Sequence, residues 1–237
     1  MENDYKKITV AIVDDEENIR ETVSYSLKKE GFIPQLFSDG QIAWEAFQKK
    51  LPDIVILDII MPRMDGLELC RRIRSVSETI PLIFLTSKDE EIDKIIGLQI
   101  GGDDYLCKPF SMKELITRIN VIFRRINLIK EQIINKNDIL DIGKLNIDLL
   151  RYIAKWNNKK LHLSITEFML LLSLVRYPGH VKTREQLMQE AYSENIYVSD
   201  RTIDSHIKRI RKKFLNIDPD FNCIETVYGL GYRFAMK

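Results

Sequence analysis

Cysteine is scarce and scattered. Cys70, Cys107 and Cys223 are the three in 237 residues, with no CxxC and no histidine nearby in sequence. That pattern argues against a disulfide framework or a zinc site and fits reduced thiols in a cytosolic protein. Long apolar runs are missing as well. None approaches the about eighteen residues a membrane helix needs, and the start, MENDYKK, is too polar and acidic for a signal or transit peptide. The expected location is therefore the cytoplasm, away from any membrane. A large excess charge is also lacking, because the formal net charge is only +1. Divided, the chain is less neutral: residues 1–125 hold 18 Lys and Arg against 22 Asp and Glu, and residues 126–237 hold 18 against 13. Two halves of opposite sign suggest two domains with different partners. Hydrophobic content of 45% and charged content of 30% exclude a disordered chain.

The first half alternates strand and helix. Ile8 to Val13 is an apolar run ending at Asp14-Asp15. Ile19, Val23 and Leu27 then recur every four residues, which predicts an amphipathic helix stopped at Gly31. Phe32 to Phe37 is a short strand, followed by a helix carrying Ile42, Trp44, Ala46 and Phe47. Ile54-Val55-Ile56-Leu57 runs straight into Asp58, and its β-branching suits a strand buried on both faces. A helix with Leu67, Cys70 and Ile73 precedes the strand Pro81 to Leu85, which ends at Thr86-Ser87. A further helix is expected from about Asp89 to Ile100, closed by Gly101-Gly102. Asp104 to Leu106 is a last strand leading to Lys108-Pro109, and Met112, Leu115, Ile119 and Ile122 mark the final helix. Five such alternations predict an α/β domain with a doubly wound, five-stranded parallel sheet.

In such sheets function collects at the carboxyl ends of the strands. Asp14 and Asp15, Asp58, Thr86 and Lys108 all stand at those ends. Crowded carboxylates repel one another, and a hard divalent cation such as Mg²⁺ relieves that best. A carboxylate can accept a phosphoryl group as nucleophile, with a cation, a lysine and a hydroxyl neutralising the transferring oxygens. Taken singly, each Asp could be a helix cap and Lys108 a solvated surface charge. Five residues all at strand ends make that bland account hard to sustain.

Asp14-Asp15, the run Leu57-Asp58-Ile59-Ile60-Met61-Pro62-Arg63-Met64-Asp65-Gly66, Thr86-Ser87 and Gly102-Asp103-Asp104-Tyr105 with Lys108-Pro109-Phe110 resemble response-regulator receiver domains across roughly residues 6–125. The resemblance implies that Asp58 accepts phosphate from a sensor histidine kinase. It implies Mg²⁺ held by Asp15, Asp58 and the Ile60 carbonyl, with Asp14 helping through water. Lys108 and Thr86 would contact the phosphoryl group, Tyr105 would be the aromatic switch that follows Thr86 inward, and Lys108–Pro109 would be cis. It also implies a two-fold dimer face pairing Lys94 with Glu114, Asp104 with Arg118 and Asp103 with Arg125. Without the resemblance these are an ordinary solvated face, or Glu114 and Arg118 a plain i,i+4 pair.

Residues 126–138 lose clear periodicity and are expected to be a linker, helical at its start. Ile139 to Leu163 then predicts a small antiparallel sheet with a turn at Asn157-Asn158-Lys159-Lys160, and His162 an ordinary strand residue. Three helices follow, opening at Thr166-Glu167, Thr183-Arg184 and Ser199-Asp200. The third has Ile203, Ile207, Ile210 and Phe214 as its buried stripe. Its other faces hold Arg201, Lys208, Arg209, Arg211, Lys212 and Lys213 against a single acid, Asp204. Solvation is the usual explanation of such a charge run. Third place in a compact set is, however, that of a DNA-reading helix. A hairpin with glycines at its tip, Cys223 to Phe234, closes the chain.

The runs Arg201 to Lys213 and Thr226 to Phe234 resemble the winged helix-turn-helix effector domain of the OmpR/PhoB subfamily. By that resemblance the helix enters the major groove while the wing touches the neighbouring minor groove. Arg201, His206, Lys208, Arg209 and Arg211 are the expected contacts, to base or to phosphate, with Thr202 beside them. The wing position often held by Arg is Tyr228 here, a departure from the family that removes a minor-groove cation. The whole chain then predicts a receiver domain at 1–125, a linker at 126–138 and a winged-helix domain at 139–237. Its expected partners are promoter DNA, a histidine kinase, RNA polymerase and, once phosphorylated, a second copy of itself. Two alternatives remain open: a phosphotransfer or phosphatase enzyme using the carboxylates, and a DNA binder that ignores phosphorylation. Against the enzyme, Ile60 stands two residues beyond Asp58, where a second acid would serve as general acid.

Overall fold

The structure, a computed structural model, describes residues 8–87, 101–132, 139–192 and 200–236. The helix expected over 89–100 and residue Lys94 lie outside them. Two compact units divide the chain, Met1–Thr117 and Arg118–Lys237.

In the first unit β1 (Thr9–Val13), β2 (Ile33–Phe37), β3 (Ile54–Asp58), β4 (Leu82–Ser87) and β5 (Asp104–Lys108) form one sheet in the order β2-β1-β3-β4-β5. All four pairings are parallel. Every residue of β3 is buried, as an apolar run in the middle of a parallel sheet must be. Each Ile, Leu or Val so buried contributes about 1.5–3 kcal/mol. Helices α1 (Glu17–Lys29), α2 (Gly40–Phe47), α3 (Gly66–Val76) and α4 (Met112–Gln132) alternate with the strands, and the division between the units falls inside α4. Gly31, at φ +85°, ends α1 and donates its N–H to the Lys28 carbonyl. Asp65, not Asp58, caps α3: its Oδ1 accepts the Glu68 N–H at 2.7 Å.

The second unit opens with an antiparallel sheet of β6 (Ile139–Ile142), β7 (Leu145–Asp148), β8 (Ile153–Trp156) and β9 (Lys159–Leu161). Asn157 and Asn158 join β8 to β9 with φ of 50° and 63°, the left-handed geometry a two-residue hairpin loop requires. Lys159 and Lys160 belong to the strand rather than to the turn. Helices α5 (Ile165–Val175), α6 (Arg184–Tyr192) and α7 (Asp200–Leu215) follow. The expected stripe Ile203, Ile207, Ile210, Phe214 is fully buried. Phe214 stacks on Phe221 and meets Trp156 edge-on. A second sheet sets β12 (Gly231–Phe234) between β10 (Lys182–Thr183) and β11 (Ile224–Val227). Glycine is required at 231, because a Cβ there would stand 2.0 Å from the Lys182 carbonyl oxygen. No helix among the described residues is long and apolar enough to cross a membrane.

Candidate functional site

Strand register brings the first set of candidates together. Val13 lies opposite Leu57 and Asp58 opposite Leu85, so the residues that follow β1 and end β3 share one edge of the sheet. Ser87 pairs with Lys108, which brings the end of β5 to the same edge. Lys108 Nζ then sits 2.9 Å from Asp14 Oδ2, 3.0 Å from Glu16 Oε1 and 3.0 Å from Asp58 Oδ2. Burial pushes the Asp14 and Asp58 carboxyls above their ordinary values, with Lys108 drawing them part of the way back. For Lys108 burial works downward, and Asp14 and Asp58 outweigh it, so its ammonium is held firmly charged. The Lys108–Pro109 bond is cis. Thr86 is buried one residue past the Asp58 partner, and Tyr105, half-buried, packs on the core of this unit.

The family resemblance expects Asp15 in the cation site and assigns no role to Glu16. The Asp15 side chain is exposed, and its backbone carbonyl accepts from Arg20, as does that of Asp14. Glu16 is the third carboxylate instead: single oxygens of Asp14, Glu16 and Asp58 lie within 4.8 Å of one another. Asp14 Oδ2 is buried and pairs with the Lys108 ammonium at 2.9 Å, so one positive charge already stands against the carboxylates. Three carboxylates so close together fit a hard divalent cation. Glu16 follows directly on Asp15, and only the turn after β1, where its N–H donates to Asp14 Oδ1 at 2.9 Å, distinguishes the two.

Three residues of the expected dimer face, Asp103, Asp104 and Arg118, are buried rather than solvated. Asp103 is fully buried, its Oδ2 taking Arg74 at 2.7 Å and the Leu82 N–H at 3.1 Å. Arg74 also donates to the Gly101 and Ile80 carbonyls, so Asp103 serves a tie within the chain rather than an outward pair with Arg125. Asp104 and Arg118 are likewise buried. Glu114 is half-exposed, and the side chain of Arg125 lies outside the described ones.

Several of the expected DNA contacts also face inward. Arg209 and Lys213 stand one helical turn apart on α7, and both reach Glu167 of α5, Arg209 Nε at 3.2 Å and Lys213 with a charge-assisted hydrogen bond. Glu167 is fully buried, and its Oε2 accepts the Ser164 N–H at the start of α5. His206, fully buried, touches the Arg209 guanidinium, and Thr202 is buried too. Arg211 is spent on the hairpin, donating to the Ile224 carbonyl and to Thr226 Oγ1. Lys208 and Lys212, four residues apart, are the exposed cations of the helix, while the side chain of Arg201 lies outside the described ones. At the hairpin tip Tyr228 is 93% exposed. Tyr232, between the Arg184 and Arg211 guanidinium groups, donates its hydroxyl to Asp204 and thereby ties α7 to β12.

This buried cluster makes the second unit acid-sensitive. Burial, then Arg209 and Lys213, holds His206 well below its ordinary value. Burial alone would raise the Glu167 carboxyl, but the same two cations bring it below its ordinary value. The unfolded chain therefore binds more protons than the folded one, at His206 below about pH 6.5 and at Glu167 below about pH 4.3. Stability falls as pH falls through that window. In a Trp44→Phe background, Trp156 fluorescence should report a urea midpoint that drops from pH 7 to 5, with a shallower drop in His206→Gln. A flat profile would contradict this assignment.

Residues 10–120 match the response regulator receiver domain, and residues 158–234 match the family described as transcriptional regulatory protein, C terminal. The transcriptional regulatory protein BaeR of Escherichia coli O6:H1 is 41% identical over 94% of this chain and 91% of its own length. CreB of Escherichia coli K12, another transcriptional regulatory protein, is 37% identical over 94% and 96%. The alkaline phosphatase synthesis transcriptional regulatory protein PhoP of Bacillus subtilis is 36% identical over 94% and 95%. Among solved structures, the response regulator DrrB of Thermotoga maritima, an OmpR/PhoB homologue, aligns over 96% of this chain and 99% of its own at a TM-score of 0.51 and 31% identity. Receiver domains generally bind Mg²⁺ at an acidic pocket, and Asp14, Glu16 and Asp58 form one here. Two matched domains, full-length relatives and a pocket at the strand ends place this chain among the two-component response regulators of the OmpR/PhoB type, which act as transcription factors.

Proposed function

We propose that Asp58 is the phosphoacceptor of a switch that controls binding to promoter DNA. The observation that carries this reading is the Lys108 ammonium within 3.0 Å of an Asp58 carboxylate oxygen, in a pocket that also contains Asp14 and Glu16. One Asp58 oxygen forms a P–O bond as the P–N bond to the histidine of a sensor kinase breaks. Lys108 and Thr86 receive the phosphoryl oxygens, and Tyr105 follows Thr86 inward. Asp15, Asp58 and the Ile60 carbonyl would hold Mg²⁺, with Asp14 helping through water, as the family resemblance has it; the ion would supply neutralising charge, and Glu16 stands in the same pocket. The nucleophile is also the modified residue, so the domain is a switch and not an enzyme.

Residues 1–125 act as the receiver, 126–138 as linker and 139–237 as the DNA-binding domain, in the cytoplasm with RNA polymerase as a further partner. Phosphorylation favours receiver dimers, which place two winged helices on a repeated half-site. The family resemblance gives Lys94–Glu114, Asp104–Arg118 and Asp103–Arg125 as the pairs across that dimer, and Asp103, Asp104 and Arg118, all buried, would have to be uncovered before they could meet a second copy.

Lys208 and Lys212 make phosphate contacts, with Arg201 beside them, and Tyr228 reaches the DNA without a charge. Titrating a random-sequence duplex at several salt concentrations tests this. Lys208→Ala and Lys212→Ala should each reduce the slope of log affinity against log salt by about one, and Tyr228→Ala should weaken binding at an unchanged slope. Lack of binding at low salt would overturn the DNA-binding reading. An unchanged slope in both lysine variants would overturn the assignment of contacts.

A further inference from the structure

The loop between β3 and α3 begins at the residue after Asp58, and its path determines where Ile60 lies. Two ties hold its ends. The Gly66 N–H donates to the Ile59 carbonyl at 2.9 Å, and a Cβ on Gly66 would meet the Asp58 carbonyl oxygen at 2.0 Å. Met64 is buried against the start of α2, where a Cβ on Gly40 would stand 2.5 Å from the Met64 carbonyl oxygen. Between them Arg63 takes φ +67°, a left-handed conformation that is unfavourable for any residue bearing a Cβ. Glycine would adopt it freely, so an arginine there has to be held by its side chain.

The holder is Asp39. The Arg63 guanidinium pairs with Asp39 Oδ2, and Asp39 is fully buried. Its other oxygen, Oδ1, accepts the N–H groups of Gln41 and Ile42 and so caps α2. One carboxylate therefore fixes both a helix start and the middle of the loop.

We propose that Arg63 is a positioning residue for the phosphoacceptor pocket: latched to Asp39, it keeps residues 59–62 where the Ile60 carbonyl would be available to a cation beside Asp58. This inference rests on the phosphoacceptor reading and names a residue outside the pocket on which cation affinity depends. Partners that support a metal site from outside typically change its affinity 10–100-fold. The Arg63 side chain is 59% exposed, so the lower end applies.

The test is calorimetric Mg²⁺ titration of the full chain. Arg63→Ala and Asp39→Asn should each raise Kd about tenfold. Asn caps a helix as well as Asp does, so the second variant removes the latch and keeps the cap. The double variant should be no worse than either single, because both break one contact. Arg63→Lys should recover part of the affinity. Arg63→Gly separates latch from backbone: it takes the left-handed conformation without a guanidinium to hold it, so it should lose less affinity than Arg63→Ala. At saturating Mg²⁺, Arg63→Ala should accept as much phosphoryl group as the wild type. A Kd for Arg63→Ala within twofold of wild type, a Kd for Arg63→Gly as high as that of Arg63→Ala, or additive losses in the double variant would each overturn the latch. If the wild type takes no phosphoryl group on Asp58, the underlying reading fails instead. If it takes one while Arg63→Ala binds Mg²⁺ normally, only the latch fails.

Discussion

Replacing Arg209 with alanine is expected to lower the stability of the DNA-binding domain by roughly 3–5 kcal/mol, the usual result of leaving one member of a buried ion pair without its partner. Glu167 is wholly inside the domain, and without Arg209 its carboxylate keeps, among the described residues, Lys213 at one oxygen and the Ser164 N–H. Domains of this size are stable by only about 5–15 kcal/mol in all, so the variant is close to unfolding at ordinary temperature. Lys208→Ala, one position earlier but exposed, should change stability by less than about 0.5 kcal/mol. Urea unfolding followed by Trp156 fluorescence in a Trp44→Phe background distinguishes the two. Combining Glu167→Leu with Arg209→Leu should cost less than the sum of the single changes, because no charge in the pair is then stranded. Equal, small effects at 208 and 209, with equal losses of DNA affinity, would return Arg209 to the DNA face.

The second large effect belongs to Lys108→Ala. Its ammonium touches Asp14, Glu16 and Asp58 together, and removing it leaves three carboxylates facing one another. The receiver is expected to lose up to about 3 kcal/mol at neutral pH, less than for a wholly buried pair because the lysine side chain is 17% exposed. The sign of the pH dependence follows from the raised carboxyls. Asp14 and Asp58 already hold protons more tightly when folded than when unfolded, and without Lys108 they do so more strongly. Stability in the variant should therefore decline as pH rises through those folded-state values, and acidification should restore it. Mg²⁺ should stabilise the variant more than the wild type, since the cation no longer competes with an ammonium. At a hundredfold excess over Kd such binding adds about 2.7 kcal/mol. Thermal unfolding of the full chain with and without Mg²⁺ measures both. A variant as stable as wild type at pH 7 without metal would show that the lysine does not balance the pocket.

Much of this architecture is legible in the residues because it rests on local period. Ile54 to Leu57 can only be a strand with both faces covered, and Asp58, Thr86 and Lys108 fall at strand ends by the same alternation. The pocket is then a matter of register, and parallel strands align their carboxyl ends. What period does not carry is which side chain a fold turns inward. Counting six cations on α7 treats the helix as one face. At 3.6 residues per turn, however, His206, Arg209 and Lys213 flank the apolar stripe, and Glu167 is an acid inside a leucine-rich helix that needs a partner. That signal was available in the pattern. The Asp103 partner was not: Arg74 lies 29 residues away, and the two meet only because the last turn of α3 reaches the residues that lead into β5. Glu16 is likewise distinguished from Asp15 only by the turn after β1.

The phospho-switch depends on Asp58, and intact mass tests it most directly. Full-length wild type and Asp58→Asn are incubated with Mg²⁺ and a small-molecule phosphodonor and weighed. One phosphoryl group on the wild type, labile to base and absent from the variant, is the predicted result. A folded wild type that gains no mass from this donor or from a phosphorylated kinase, or a variant that gains as much, would contradict the phosphoacceptor role.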